Sequence, residues 1–239
     1  MFHELLYRPI LNLLVFLYDI IPGHDVGLAI IGVTLVIRII LYPSFHSSLK
    51  SQKALQELQP KMEALKVKHK DDKQAQMKAV MELYKEHKVN PLSSCLPLLI
   101  QLPVMIALFS VLNNQLPKTT IEGLYGFVSN PGTLEPVAFG FLNMAQPHTI
   151  LAAVAAILQF LQTKTLMPKR EPGVKLDPTA NILQKQMLYF LPVMTFIIAL
   201  KLPAGLPLYW AATTIFAILQ QLIIRRRSQP PGVAVKEGA

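Results

Sequence analysis

Five apolar runs divide this chain, at residues 26–42, 92–112, 149–161, 187–202 and 206–224, and none of them contains an aspartate or a glutamate. A bilayer core about 30 Å thick needs about 20 helical residues to cross it, so the first, second and fifth runs are span candidates and the third and fourth fall short. The only charges in the five runs are Arg38 and Lys201, the latter at an edge. Composition agrees: 52% of residues are hydrophobic, 15% are charged and the mean hydropathy is +0.39, where an ordinary soluble domain has roughly 25% charged residues. The net charge is nevertheless +9. A disordered basic tail would be poor in apolar residues. A soluble nucleic-acid binder would spread its charge over a polar surface. A disulfide-stapled secreted domain needs paired cysteines, and this chain has only Cys95. An all-α integral membrane protein remains.

Alternating spans sort the remaining residues into two compartments. One side takes 43–91, 162–186 and the tail after 224, with 19 basic against nine acidic residues. The other takes the first 25 residues, the loop 113–148 and the link at Lys201, with three basic against five acidic. Lys and Arg mark the cytoplasmic side, so the expected fold has five core transmembrane helices, its N-terminus outside and its C-terminus inside. The expected divisions are an outer amphipathic segment (1–25), spans at 26–43, 92–115, 148–163, 186–202 and 205–224, and a cytoplasmic helical hairpin (44–91). An extracytoplasmic loop (116–147), a cytoplasmic loop (164–185) and a basic cytoplasmic tail (225–239) complete them.

The beginning of the chain has neither the basic n-region nor the A-x-A-like site of a signal peptide. Residues 9–21 are too few to span. Ile10, Leu13, Leu14, Leu17 and Ile21 share one helical face, with Asn12 and Asp19 elsewhere, which predicts an amphipathic helix in the outer interface. An uncleaved signal remnant is the alternative. No Arg- and Ser-rich transit segment is present, which favours a multi-pass protein of a bacterial cytoplasmic (inner) membrane over an organelle.

In the hairpin region, Leu55, Leu58, Met62 and Leu65 make a narrow seam, and Met77, Val80/Met81 and Tyr84 make a second. The polar stretch 69–72 separates them, as in an antiparallel helical hairpin. Pro60 predicts a kink or a fresh start in the first arm. The pattern fits a solvated connector as well as a mobile arm. Lysines such as Lys61, Lys66, Lys70 and Lys73, with Arg225, Arg226 and Arg227 of the tail, would favour phosphate-rich or anionic-lipid surfaces. The outer loop is punctuated by Gly and Pro and has no metal-ligand spacing.

A charge inside hydrocarbon is expensive and usually functional. Arg38 lies five residues before Pro43, about 7 Å along a helix axis, so it could snorkel to the headgroups or line a cavity. Thr34 lies one turn away on the same face. Gln101, Asn113, Asn114, Gln159, Gln162, Thr213, Thr214, Gln220 and Gln221 are further polar residues within or beside the runs. Polar groups at this density line a shared cavity or glue helices together. A cavity of this kind would be wet and cationic, and would attract acidic or polar segments of another molecule. No catalytic order of Ser, His and Asp, no HExxH, no P-loop and no GxGxxG occurs, so the expectation is neither an enzyme nor a holder of metal or cofactor. The six histidines fall in loops or at run edges, and Cys95 reads as a small core hydrophobe.

Residues 90–109 read NPLSSCLPLLIQLPVMIALF, residues 34–43 TLVIRIILYP, and residues 203–210 PAGLPLYW. Together with KHKDDKQAQMKAVMELYKEHKVNPL at 68–92, they resemble the YidC/Oxa/Alb family of membrane protein insertases, in its shorter form without a large periplasmic domain. The resemblance implies five core helices around a hydrophilic groove open to cytoplasm and lipid and closed on the outside. It places Arg38 in that groove and Gln101 in the LIQxP segment of the second span. Tyr209 and Trp210 match the aromatic pair near the outer start of the last span. Gln159 and Gln162 match polar positions of the third span, and Thr34 and Thr213 complete the expected client-contacting set. The family often has an acidic residue near the start of the third span, where this chain has FLNMAQPH, with Asn143 and His148. The implied partners are nascent membrane-protein clients and lipids, with the ribosome, the Sec translocon and the signal recognition particle machinery, and no sequence-specific nucleic acid. A small-molecule or ion transporter is the rival, but it would ordinarily carry intramembrane acids and repeated halves. A scaffold subunit of a membrane complex is the other rival.

Overall fold

The computed structural model describes residues 2–90, 93, 96–116, 120–167, 182 and 185–227, with the side chains of Leu98, Arg225, Arg226 and Arg227 excepted. The predicted reading of Cys95 and the roles suggested for the three tail arginines lie outside what is described.

A π-turn at His3–Tyr7 leads into helix α1, Arg8–Ile20, with a proline in its first turn. Arg8 binds Glu4 at 2.7 Å and holds that carboxyl below its ordinary range. The face predicted for it turns inward as part of a wider buried surface: Ile10 and Leu14 lie in the core, and Leu13, Leu17 and Ile21 pack against it. Leu11, Leu14 and Val15 are wholly buried and Tyr18 nearly so, while Leu13, Leu17 and Ile21 are only partly covered. Asn12 lies within the buried face rather than off it. Its side chain donates to the carbonyls of Arg8 (2.8 Å) and Gly123 (3.3 Å) and accepts from the Tyr125 N–H (2.6 Å). A buried amide with its donors and acceptor engaged costs little, and two of these partners come from the loop 120–148, beyond the reach of local periodicity.

Helix α2, Val26–Ile40, starts at Asp25, whose carboxylate caps the Leu28 N–H at 2.9 Å. At Leu41 the chain bends by 70° into α3, Tyr42–Lys68. Pro43 sits in the first turn of α3, where its missing N–H would have had no helical partner. Helix α3 continues through Pro60, so the first arm does not begin afresh there. Pro60 is exposed, so water can reach the Gln56 carbonyl that its ring leaves unbonded. Asp72 caps α4, Lys73–Glu86, through the Gln74 and Ala75 N–H groups.

The α3 side of the α3–α4 seam is the predicted one, with Leu58 buried and Leu55, Met62 and Leu65 half-buried, whereas the α4 side is turned. Leu58 and Leu83 are its buried residues, while Met77 and Met81 are 69% and 49% exposed. The inner face of α4 includes Gln76, Val80, Leu83 and His87, offset by one residue, about 100° around the helix. Two of these are polar and bond backbone, Gln76 to the Lys66 carbonyl across the turn and His87 to the Leu83 carbonyl. An apolar pattern does not count such positions. The Tyr84 hydroxyl lies 3.0 Å from the Met62 sulfur.

Helix α5 is Leu96–Gln115, α6 Thr149–Leu166, α7 Leu191–Ala199 after a π-turn at Gln186–Phe190, and α8 Gly205–Arg227. His148, predicted as a solvated edge residue, caps α6 by accepting from the Leu151 N–H at 3.4 Å. By length and composition α6 and residues 205–224 of α8 can each cross a bilayer, as can α2 and α3 taken as one bent span. The third apolar run is thus not short as a helix: α6 has 18 residues, about 27 Å. Helix α7 with its π-turn covers 14 residues, 186–199, about 21 Å.

The core is concentrated at one end. It joins α1, the first half of α2, the second half of α5, the loop 120–148 and the start of α8, through Leu11, Ile30, Leu108, Leu112, Leu134, Met144 and Tyr209. Within the loop a two-stranded antiparallel hairpin, β1 (Val137–Ala138) and β2 (Leu142–Asn143), was not predicted from the sequence. Its strands are too short to show a period. The loop is tied to α8 by Gly205 N–H donating to Met144 and Ala204 N–H donating to Gln146. Gly205 also lets the start of α8 approach α5 and α2, since a Cβ there would lie 2.8 Å from Leu112 Cδ1 and 3.0 Å from Ile30 Cδ1. Both neighbours are buried and have nowhere to go. Gly205→Val should therefore cost about 2 kcal/mol and lower the melting temperature in detergent by about 5 °C. Gly126→Ala, with nothing within 4 Å, should leave it unchanged.

Candidate functional site

Where the apolar core ends, the polar residues of the helices gather around a cavity of about 360 Å³. Arg38 projects into it from α2, and Gln101 lines it from α5. Gln159 and Gln162 line it from α6, and Trp210, Thr213, Gln220 and Gln221 from α8. Phe45, Leu49 and Gln52 close one side from the root of α3.

Arg38 is half-buried and held at two points. Its Nη2 donates to the Thr213 carbonyl at 3.0 Å, and its Cζ stands 4.2 Å from the centre of the Phe45 ring. Among the described residues no carboxylate lies within ion-pair distance of it. The side chain therefore points across the bundle, held by α8 and α3, and keeps its charge uncompensated by an acid. A carbonyl and an aromatic face satisfy a guanidinium in part. The remaining donors are left for a ligand.

The other residues singled out by sequence divide into lining and support. Gln101 donates to the Tyr209 hydroxyl at 2.8 Å. Tyr209 itself is only 1% exposed and belongs to the apolar core, so it backs the cavity rather than facing it. Trp210, the next residue, does face it. Thr34 is wholly buried and its hydroxyl donates to the Ile30 carbonyl at 2.7 Å; it lies outside the lining. On the opposite wall, Thr195 of α7 donates to Gln159 Oε1 at 2.5 Å.

Thr165 Oγ1 lies 2.7 Å from the Gln162 carbonyl oxygen and 2.5 Å from Gln221 Oε1. A hydroxyl has one proton to give, and Gln221 Nε2 has no partner among the described residues. Turning the Gln221 amide over resolves the proton count, with Nε2 donating to Thr165 and Thr165 to Gln162, and leaves the amide oxygen at the position without a partner among the described residues. Gln220 Nε2 is also buried without a partner among the described residues. The arrangement can bind a polar or anionic segment.

Sequence reasoning missed Phe45, Leu49, Gln52 and Thr195. The first three step by four and three along one face of α3, but they sit in the stretch assigned to the hairpin. In the α3–α4 hairpin, Lys61 Nζ lies 3.0 Å from His87 Nε2. Lys70 and Lys73 are exposed at the turn, and Lys66 is half-buried.

Residues 16–231 match the family model described as 60Kd inner membrane protein. The chain belongs to this family. The resemblance drawn from its motifs is thereby borne out, as is its place among multi-pass inner membrane proteins. Proteins of the same kind, each called membrane protein insertase YidC, are similar over most of the chain. The one from Geobacter metallireducens is 35% identical over 93% of this chain and 37% of its own length. That from Fusobacterium nucleatum is 35% identical over 84% of this chain and 86% of its own length. That from Actinobacillus pleuropneumoniae is 33% identical over 95% of this chain and 38% of its own length. The chain thus spans under two-fifths of the longer relatives and most of a shorter one. Within this 60Kd inner membrane protein family member, the matched region contains the Arg38 cavity and the part of the packed end contributed by α2, α5, the 120–148 loop and α8, while most of α1 precedes it.

Proposed function

We propose that this chain is a membrane protein insertase and chaperone. It receives hydrophobic client segments from the cytoplasm in the cationic cavity and releases them sideways into the bilayer without ATP hydrolysis. The observation that carries the reading is Arg38: a guanidinium in a polar cavity, with no carboxylate within reach among the described residues. Five spans with the N-terminus outside put the packed end at the outer surface and the cavity toward the cytoplasm. A client's short acidic tail then meets Arg38 part-way into the membrane. At about 4 Å and an effective dielectric near 20, that attraction is worth about 4 kcal/mol before desolvation.

Helix α7 with its π-turn, about 21 Å long, is shorter than a hydrocarbon core of about 30 Å, which favours local thinning beside it. A shorter apolar path and a buried cation both lower the barrier to the tail. The client's apolar span partitions into lipid, and this partitioning, with the membrane potential, drives the step. Lysines of the α3–α4 hairpin and the arginines after 224 supply a basic surface for the ribosome, the signal recognition particle machinery and the Sec translocon. Vesicles holding only this protein test the reading. Client insertion without nucleotide and without solute flux is the expected result. Flux of small solutes would favour a transporter, and absence of both activities a scaffold.

A further inference from the structure

The outer loop contains a turn whose chemistry is wrong for water. Residues 137–144 read VAFGFLNM, without a charge. Tight hairpin turns are ordinarily built from Asn, Asp and Gly, yet here two phenylalanines flank Gly140. Ala138 and Leu142 are buried beneath the hairpin, whereas Phe141 is 80% exposed and Phe139 and Val137 are each more than one-third exposed. Phe139 holds a φ of +53°, a conformation that disfavours a bulky side chain. The turn keeps an aromatic ring there in spite of that cost.

The position of the hairpin points to what covers it. It lies against the first turn of α2, where a Cβ on Gly27 would come within 2.7 Å of Ala138 Cβ and 2.9 Å of the Phe139 ring. The Asp25 carboxylate that caps α2 also accepts from the Phe139 N–H, which fixes the turn to the start of that helix. The Met144 carbonyl, just past β2, accepts from Gly205 at the start of α8. The turn is thus level with the ends of two helices of a membrane-embedded bundle. Beside it, Leu28, Leu35 and Ile39 form an exposed apolar stripe down α2, the surface such a helix turns to lipid.

We propose that the 137–143 hairpin is an interfacial anchor, with Phe141, Phe139 and Val137 set into the boundary between headgroups and acyl chains. Aromatic rings are favoured at that depth. The anchor continues the lipid-facing stripe of α2 and fixes the height of that helix, and so of Arg38, in the bilayer. It holds whichever compartment this end faces.

The test uses the full chain in phosphatidylethanolamine–phosphatidylglycerol vesicles, with a nitroxide attached after Phe141→Cys, Val137→Cys or, as a control on the exposed loop, Ser129→Cys, each in a Cys95→Ser background. The labels at 141 and 137 should lie about 5 Å inside the phosphates, colliding with oxygen more than with an aqueous nickel reagent, and the label at 129 should do the reverse. Aqueous accessibility at 141 equal to that at 129 would overturn the proposal. So would shielding of 141 and 137 from both reagents, which would mean that protein covers this face.

Discussion

Arg38→Ala should reduce insertion of a client with an acidic tail by about tenfold or more and leave a client with a neutral tail nearly unchanged. A hydrogen bond to a charged group contributes about 1.5–3 kcal/mol, and 1.4 kcal/mol is a factor of ten. Among the described residues Arg38 is the only cation lining the cavity, so no described neighbour can replace it. The substitution also frees the Thr213 carbonyl and the Phe45 ring that now hold the side chain. The neutral-tail client separates this structural loss from loss of the charge, because a misfolded cavity would fail with both clients. Arg38→Lys keeps the charge but not the planar fork, and should recover part of the lost insertion. The readout is protease protection of the client tail in reconstituted vesicles. Equal losses for the two clients would contradict the charge argument.

The second large effect lies at the opposite end. Asn12→Leu should destabilise the protein by about 3 kcal/mol, because it orphans the part-buried Tyr125 N–H, while the Gly123 carbonyl keeps its bond from Arg8 Nε. Asn12 is only 3% exposed, so water cannot readily take the place of the amide. A fall of about 10 °C in the melting temperature should follow, together with faster hydrogen exchange at the Tyr125 amide. Loosening this end should also leak small solutes in vesicles, if the packed end is what seals the membrane. A melting temperature within a degree or two of the parent would show that the loop is held by apolar contacts alone.

Much of this architecture is legible from charge. Excluding acids from long runs is a physical requirement of hydrocarbon, so it is written directly in the sequence. The single arginine is conspicuous for the same reason. What sequence could not supply are the pairings between distant segments. Asn12 looks like a polar interruption of an apolar face until Gly123 and Tyr125 arrive to satisfy it. Thr34 shares a helical face with Arg38, but a threonine can satisfy itself on its own Ile30 carbonyl and turn away from the cavity. Phe45 and Gln52 belong to a stretch whose composition says hairpin, and only the 70° bend at Leu41 brings the root of α3 under the cavity. The rotation of α4 has the same origin, in polar residues that bond backbone and so behave as interior ones.

In the proposed function the polar part of a client enters the cavity beside Arg38. A photocrosslinker placed at Gln162, on the cavity wall, and another at Ile39, which is 68% exposed on the outside of α2, test it with a ribosome-stalled client bearing an acidic tail. The tail should crosslink from position 162 and not from 39, and Arg38→Ala should abolish the crosslink from 162. Equal crosslinking of the tail from both positions, or a crosslink from 162 indifferent to Arg38, would contradict the account.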